Sequence, residues 1–147
     1  LGDGSTQPML KDMVKGYGLR NVQFLGDHGM EVVSEIVNCC DASIVSFNNV
    51  PILATNSPNK LFDSLSAGKP VIVNSSGWTK DLVEKDNCGF FVDPDNPNDL
   101  VDKLLEVKDN KELLKQWGEN SRRLSLEVYD KSLLSAKVAN VLENAIK

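Results

Sequence analysis

No stretch of this 147-residue chain approaches the roughly 20 consecutive apolar residues of a membrane-spanning helix, and no signal-peptide pattern opens it. Cysteine is scarce. Cys39, Cys40 and Cys88 are odd in number and lack metal-ligand spacing, so a reduced, cytosolic thiol set is expected and no metal site. Histidine is scarcer still, with His28 alone. Excess positive charge is missing too: the net charge of −5 weighs against nucleic acid as a main partner. It does not weigh against one nucleotide, because a phosphate site needs local N–H groups rather than global charge. Internal repeats and low-complexity segments are absent.

What is present suffices for one domain with a real core, since 41% of the residues are hydrophobic. The chain is organised around Ser57-Pro58-Asn59-Lys60-Leu61-Phe62-Asp63-Ser64-Leu65-Ser66-Ala67-Gly68-Lys69-Pro70. Ser57 as cap and Pro58 in the first turn predict a helix start, and Gly68 with Pro70 predicts its end near Ala67. Leu61, Phe62, Leu65 and Ala67 are its apolar residues, while Lys60, Asp63 and Ser64 place polar groups near the open end. Val71-Ile72-Val73 follows as a buried parallel strand. Unpaired N–H groups at the front of such a helix suit a phosphate.

Other segments alternate in the same way. Leu1-Gly2-Asp3-Gly4 reads as a strand end entering a Gly-rich turn. A helix is expected over about 6–17, with Leu10, Met13, Val14 and Tyr17 as one buried stripe and Gly18 to close it. Val22–Leu25 reads as a strand ending in Gly26-Asp27-His28-Gly29. A short helix over 31–38 turns Val32, Val33, Ile36 and Val37 inward, and Cys39-Cys40 pack as small apolar residues where it ends. Ala42–Phe47 is a strand, and a turn-rich loop over 48–56 leaves its carboxyl end, where open parallel sheets bind ligands. Cys88–Val92 is the last strand, and Asn96-Pro97 caps the next helix. The tail reads as helices over 99–107, 111–127 and 131–146. Their inward faces are Leu104, Leu105, Leu113, Leu114, Trp117, Leu124, Leu133, Leu134, Val138, Val141 and Leu142. The fold class that follows is α/β, a Rossmann-like parallel sheet with helices on both faces.

The segment Ser57–Asp63, four intervening residues, then Gly68-Lys69-Pro70-Val71-Ile72 resembles the signature of the group 1 retaining glycosyltransferases. The closest variant reads Pro-x-Lys-(Leu/Ile)-Phe-(Asp/Glu) and occurs in transferases that build bacterial surface polysaccharides. The resemblance runs from Leu1 to about Leu105, and Ser75-Ser76-Gly77-Trp78 is similar to the family's glycine turn before an acidic helix start. It implies the C-terminal, nucleotide-sugar-binding half of a GT-B fold: one donor-binding domain over 1–147, shortened at its start, with C-terminal helices from about 97. An acceptor domain and a first strand–helix unit carrying the main basic clamp are expected before Leu1, and the chain alone is expected to be inactive. The implied partner is a UDP- or GDP-sugar donor, its sugar passing to a glycan or lipid-linked acceptor. No cofactor or metal beyond that substrate is implied, and no catalytic residue is assigned. The location implied is the cytoplasm, with peripheral association of the full-length enzyme at the inner face of the cytoplasmic membrane left open.

Residue by residue, the family's usual motif has two glutamates with seven residues between them. Registered on Gly68-Lys69-Pro70, the second falls at Asp63 and the first at Thr55. The resemblance implies ribose hydroxyls for Asp63, a carboxylate that accepts two hydrogen bonds; the alternative is a first-turn acid favouring the helix dipole. Thr55 lacks the charge of the first glutamate but keeps its place beside the donor. Ser57, Pro58, Asn59 and Lys60 would face the diphosphate, with a solvated surface role as the alternative for Lys60. Gly26 and Asp27 would lie beside the base, and His28 is read as a loop histidine rather than a catalytic one. Trp78 either covers the site or packs.

Three other readings are weaker. Gly2-Asp3-Gly4 would open a dinucleotide fingerprint, but Gln7 stands where the third glycine belongs. A GT-B sugar-nucleotide epimerase fragment would show more His and Glu than the lone His28. A non-catalytic flavodoxin-like nucleotide-binding or interaction module of receiver type would need an acidic cluster at strand ends, where only Asp3 and Asp27 stand.

Overall fold

The computed structural model describes residues 1–146, and these fall into two compact units, Leu1–Ile36 and the remainder from Val37 on. In the first unit, α1 (Gln7–Gly16) ends with Gly18 in the left-handed conformation, and α2 (Met30–Asn38) runs on into the second unit. Several expectations fail in this first unit. Leu10, Met13, Tyr17 and Val32 are exposed rather than buried, and neither Leu1–Gly4 nor Val22–Leu25 forms a strand. A unit of 36 residues encloses too little volume to bury an apolar stripe by itself. A strand also needs a ladder. Ahead of α1, the Gly2 N–H donates to the Gly26 carbonyl, 2.6 Å.

The second unit is built on a parallel sheet of β1 (Ser43–Val45), β2 (Val71–Val73) and β3 (Gly89–Phe91), paired in that order. Between β1 and β2 lie a 3-10 helix (Pro51–Thr55), in place of the expected loop, and α3 (Asn59–Ser66); α4 (Trp78–Lys85) joins β2 to β3. Both crossovers step the same way along the sheet, so α3 and α4 share one face if both are right-handed. Side-chain alternation agrees. Val71 and Val73 join Val45, Leu61, Leu65, Leu82, Val83, Cys88 and Leu124 in the main core.

Ile44, Ile72 and Phe90 stand in register on the opposite face. On that face Trp117 of α6 (Lys111–Glu127), the helix that follows α5 (Pro97–Val107), meets Phe90 with ring centroids 5.8 Å apart, while Leu124 further along α6 reaches the main core. This puts helices on both faces of the sheet. Cover is incomplete, because Ile44 is 52% exposed while Ile72 is 2% exposed. An open cavity of about 1270 Å³ lies on this side, lined by Ile72, Phe90, Leu104, Leu105 and Trp117. Its remaining walls include Cys40–Ala42 and Gly68–Pro70, which directly precede β1 and β2, so it opens at the amino ends of these strands.

The end of α3 follows its sequence closely. Gly68 takes φ +63, its N–H donates to the Leu65 carbonyl (3.0 Å) and the Lys69 N–H to that of Ser64 (3.0 Å). This six-to-one and five-to-two pair requires a residue content in the left-handed region. Three further expectations are corrected. Cys39 and Cys40 are exposed, unlike buried Cys88. Leu104 and Leu105 are exposed, and so are Leu133, Leu134, Val138, Val141 and Leu142 along α7 (Lys131–Ala145), while Leu124 is buried as expected. An apolar stripe specifies which face wants cover; it does not supply a neighbour.

Candidate functional site

Three loops meet the carboxyl ends of the strands: residues 46–58 after β1, 74–77 after β2 and 92–96 after β3. Asn74, the first residue beyond β2, ties the first two together. Its Oδ1 accepts the Phe47 N–H at 2.8 Å and its Nδ2 donates to the Phe47 carbonyl at 2.9 Å. One amide thus satisfies both backbone groups of a residue that has left the ladder. Asn49 donates to the Asp95 carboxylate at 2.8 Å, linking the first loop to the third. In that third loop the Asp99 carboxylate accepts the Asp93 N–H at 2.7 Å, which holds it below the usual carboxylate range, and Lys103 assists at 3.2 Å. Sequence reading missed Asn74, whose signal was a polar residue set directly after a buried strand.

The 3-10 helix is anchored from the β2–α4 turn. The Ser75 hydroxyl donates to the Leu53 carbonyl (3.1 Å), and the Trp78 Nε1–H to that of Asn56 (2.9 Å). Gly77, at φ +101, lies so near Ala54 that a β-carbon would stand 2.7 Å from its carbonyl oxygen. Trp78 therefore packs: its ring stacks on Phe62 of α3, centroids 6.2 Å apart, and Phe62 also meets Tyr129 at 5.1 Å.

The start of α3 differs from the expected one. Pro58 is the capping residue, Asn59 the first helical one, and Ser57 lies outside with no side-chain hydrogen bond to the helix end. Pro58 is buried, whereas Ser57, Asn59 and Lys60 are exposed. The Leu61 N–H donates to the Pro58 carbonyl at 3.0 Å; those of Asn59 and Lys60, ahead of it, have no intrahelical carbonyl to reach. Asp63 is the fifth helical residue, and no acid occupies the first turn. The helix dipole, which fades within that turn, does not account for it. Among the described residues the Lys60 ammonium and the Asp63 carboxylate, one turn apart and both exposed, have no ion-pair partner. Thr55 is also exposed, its hydroxyl donating to the Ile52 carbonyl within its own turn (2.9 Å).

Thr55, Ser57, Pro58, Asn59, Lys60 and Asp63 thus share one edge of the second unit. Gly26 and Asp27 belong to the first unit. There Gly26 is left-handed with its carbonyl engaged by Gly2, and His28 meets the Leu25 carbonyl at 2.6 Å through Nε2. Among the described residues no three His, Cys, Asp or Glu side chains are grouped as a metal would require. No helix among them is long and apolar enough to cross a membrane.

Comparison with known proteins points one way. The family described as glycosyl transferases group 1 matches residues 1–124. An uncharacterized glycosyltransferase of Methanocaldococcus jannaschii is 29% identical over 125 residues, covering 85% of this chain and 34% of its own length. The MMP alpha-(1->4)-mannosyltransferase of Mycolicibacterium hassiacum is 27% identical over 85 residues, 57% of this chain and 21% of that one. This chain therefore spans about a third or less of the relatives it matches. Among solved structures, WaaG, a glycosyltransferase involved in lipopolysaccharide biosynthesis, superposes with a TM-score of 0.64 at 22% identity. That match covers 95% of this chain and 36% of WaaG, and it shows the fold.

Proposed function

This chain belongs to the group 1 glycosyl transferases, and from that membership we propose that the carboxyl edge of its sheet binds the nucleotide-sugar donor of a retaining transfer. The observation that carries the reading is the uncapped start of α3, with Lys60 and Asp63 one turn apart and, among the described residues, without ion-pair partners. A donor of the UDP- or GDP-sugar type presents a diphosphate and a ribose diol, and this edge offers complementary groups for each. The N–H groups of Asn59 and Lys60 point along the helix axis toward the oxygens of a diphosphate, and the Lys60 ammonium adds a full charge. The Asp63 carboxylate accepts the ribose hydroxyls. As the glycosidic bond to phosphate breaks, charge grows on the leaving diphosphate, and pre-set donors stabilise it without reorganising. No metal or further cofactor is required in this scheme. The acceptor, a glycan or lipid-linked sugar, would be held by a separate domain, and peripheral membrane association would bring that domain to lipid-linked substrates.

Titration of the chain with UDP and GDP, followed by backbone amide shifts, tests the placement. Shifts centred on Asn59, Lys60 and Asp63 are expected. Shifts confined to α5, α6 and α7 would overturn it.

A further inference from the structure

A site made of backbone N–H groups is only as good as the placement of the backbone that carries them, since small errors in donor position forfeit much of the stabilisation. The segment leading into α3 is poorly suited to hold itself. Residues 48–52 are exposed, the 3-10 turn is short, and Ser57 makes no cap. What holds it comes from across the sheet edge.

Trp78 touches this segment on both sides of Ser57-Pro58. Its Nε1–H fixes the Asn56 carbonyl at 2.9 Å, just ahead of the turn into the helix. Its ring stacks on Phe62, which lies on α3 between Lys60 and Asp63, with an interplanar angle of 21°. Just ahead of Trp78 in the same turn, Ser75 bonds the Leu53 carbonyl and Gly77 packs closely on Ala54. One indole therefore sets the angle at which the chain approaches α3 and the rotation of its first turn.

Resting on the donor-binding reading above, we infer that Trp78 is a positioning residue for that site, acting through Asn56 and Phe62 and touching no donor atom itself. The indole N–H is the part that a packing role does not need. Trp78→Phe keeps a six-membered ring against Phe62 but removes the N–H donor together with part of the indole's packing surface, leaving the Asn56 carbonyl without its partner. Ser75→Ala, which removes a hydrogen bond to the same segment and no ring, separates the two losses.

The test compares the chain as it stands with Trp78→Phe, Ser75→Ala and Trp117→Phe, the last losing an indole that packs on Phe90 away from the site. UDP and GDP affinities and amide hydrogen exchange are measured on each. In Trp78→Phe, affinity is expected to fall about fivefold to tenfold, the factor roughly one lost neutral hydrogen bond carries, and exchange at residues 56–60 to quicken while β1, β2 and β3 keep their protection. Ser75→Ala should shift both readouts the same way by less, and it replaces Trp78→Phe as the deciding variant if that one fails to fold. Trp117→Phe should leave both unchanged. Unaltered nucleotide affinity in Trp78→Phe and Ser75→Ala overturns the inference while donor binding stands. Failure of the unaltered chain to bind either nucleotide overturns the donor reading, and the inference with it.

Discussion

Gly118 of α6 lies so close to Gly68 at the end of α3 that a β-carbon on it would stand 2.5 Å from the Gly68 carbonyl oxygen. Beside this contact, Ser121 donates to the Lys69 carbonyl at 2.8 Å and Arg122 to that of Ser66 at 2.6 Å. Carbonyls left over at the end of α3 thus find donors on a helix more than 50 residues later in the chain. Helix α6 closes the back of the element whose front carries the proposed site.

Gly118→Ala should therefore destabilise the protein. In an isolated helix the change would stabilise by about 1 kcal/mol. Here the added methyl meets backbone, and overpacking of that kind costs roughly 1–3 kcal/mol. A urea unfolding midpoint below that of the unaltered protein is expected, and a higher midpoint would show that the two helices can part cheaply.

Asp63→Asn should weaken UDP and GDP binding while leaving the thermal midpoint in place, because the carboxylate is exposed and, among the described residues, without an ion-pair partner. A hydrogen bond to a charged acceptor contributes about 1.5–3 kcal/mol, and an exposed site sits at the lower end. Equal affinities would remove Asp63 from the donor site.

Lys60→Gln separates the ammonium from the N–H groups beside it. Affinity for UDP and GDP should fall and become less sensitive to salt, since an exposed charge is screened over a Debye length of about 10 Å at 0.1 M. Equal salt dependence in the two proteins would leave Lys60 a surface lysine.

Cys88 predicts an alkaline limit to stability. Burial, with Asp86 nearby, pushes its thiol from 9.0 to about 11. Between those pH values the unfolded chain has given up a proton that the folded chain keeps, so stability falls as pH rises, by up to about 1.4 kcal/mol per pH unit. Tyr129, raised by burial and by Asp86, adds a loss of the same sign at higher pH. Denaturant unfolding from pH 8 to 11 should show a shallower decline in Cys88→Ala. In the native protein a thiol reagent should label exposed Cys39 and Cys40 quickly and Cys88 only on unfolding. Rapid labelling of all three would refute the burial.

The stretch from Lys60 to Val73 is legible in the sequence because its signals are local. Gly68 accepts a left-handed backbone, Pro70 stops the helix, and Val71-Ile72-Val73 is apolar on both faces; each acts within a few residues of itself. The family motif at Asp63 and the class of fold come from the same local grammar. Where that grammar needs a partner, it runs out. Val22–Leu25 has the residues of a strand but not the ladder, and the apolar stripes of α1 and α7 have a face but no covering surface in these units. The hydrogen bonds that tie together the loops at the proposed site join residues far apart in the chain: Asn74 to Phe47, 27 positions away, and Trp78 to Asn56, 22 away. No periodicity encodes such pairs. They exist because parallel crossovers bring the loops after β1 and β2 to one edge, where each unpaired backbone group must take whichever donor or acceptor the neighbouring loop provides.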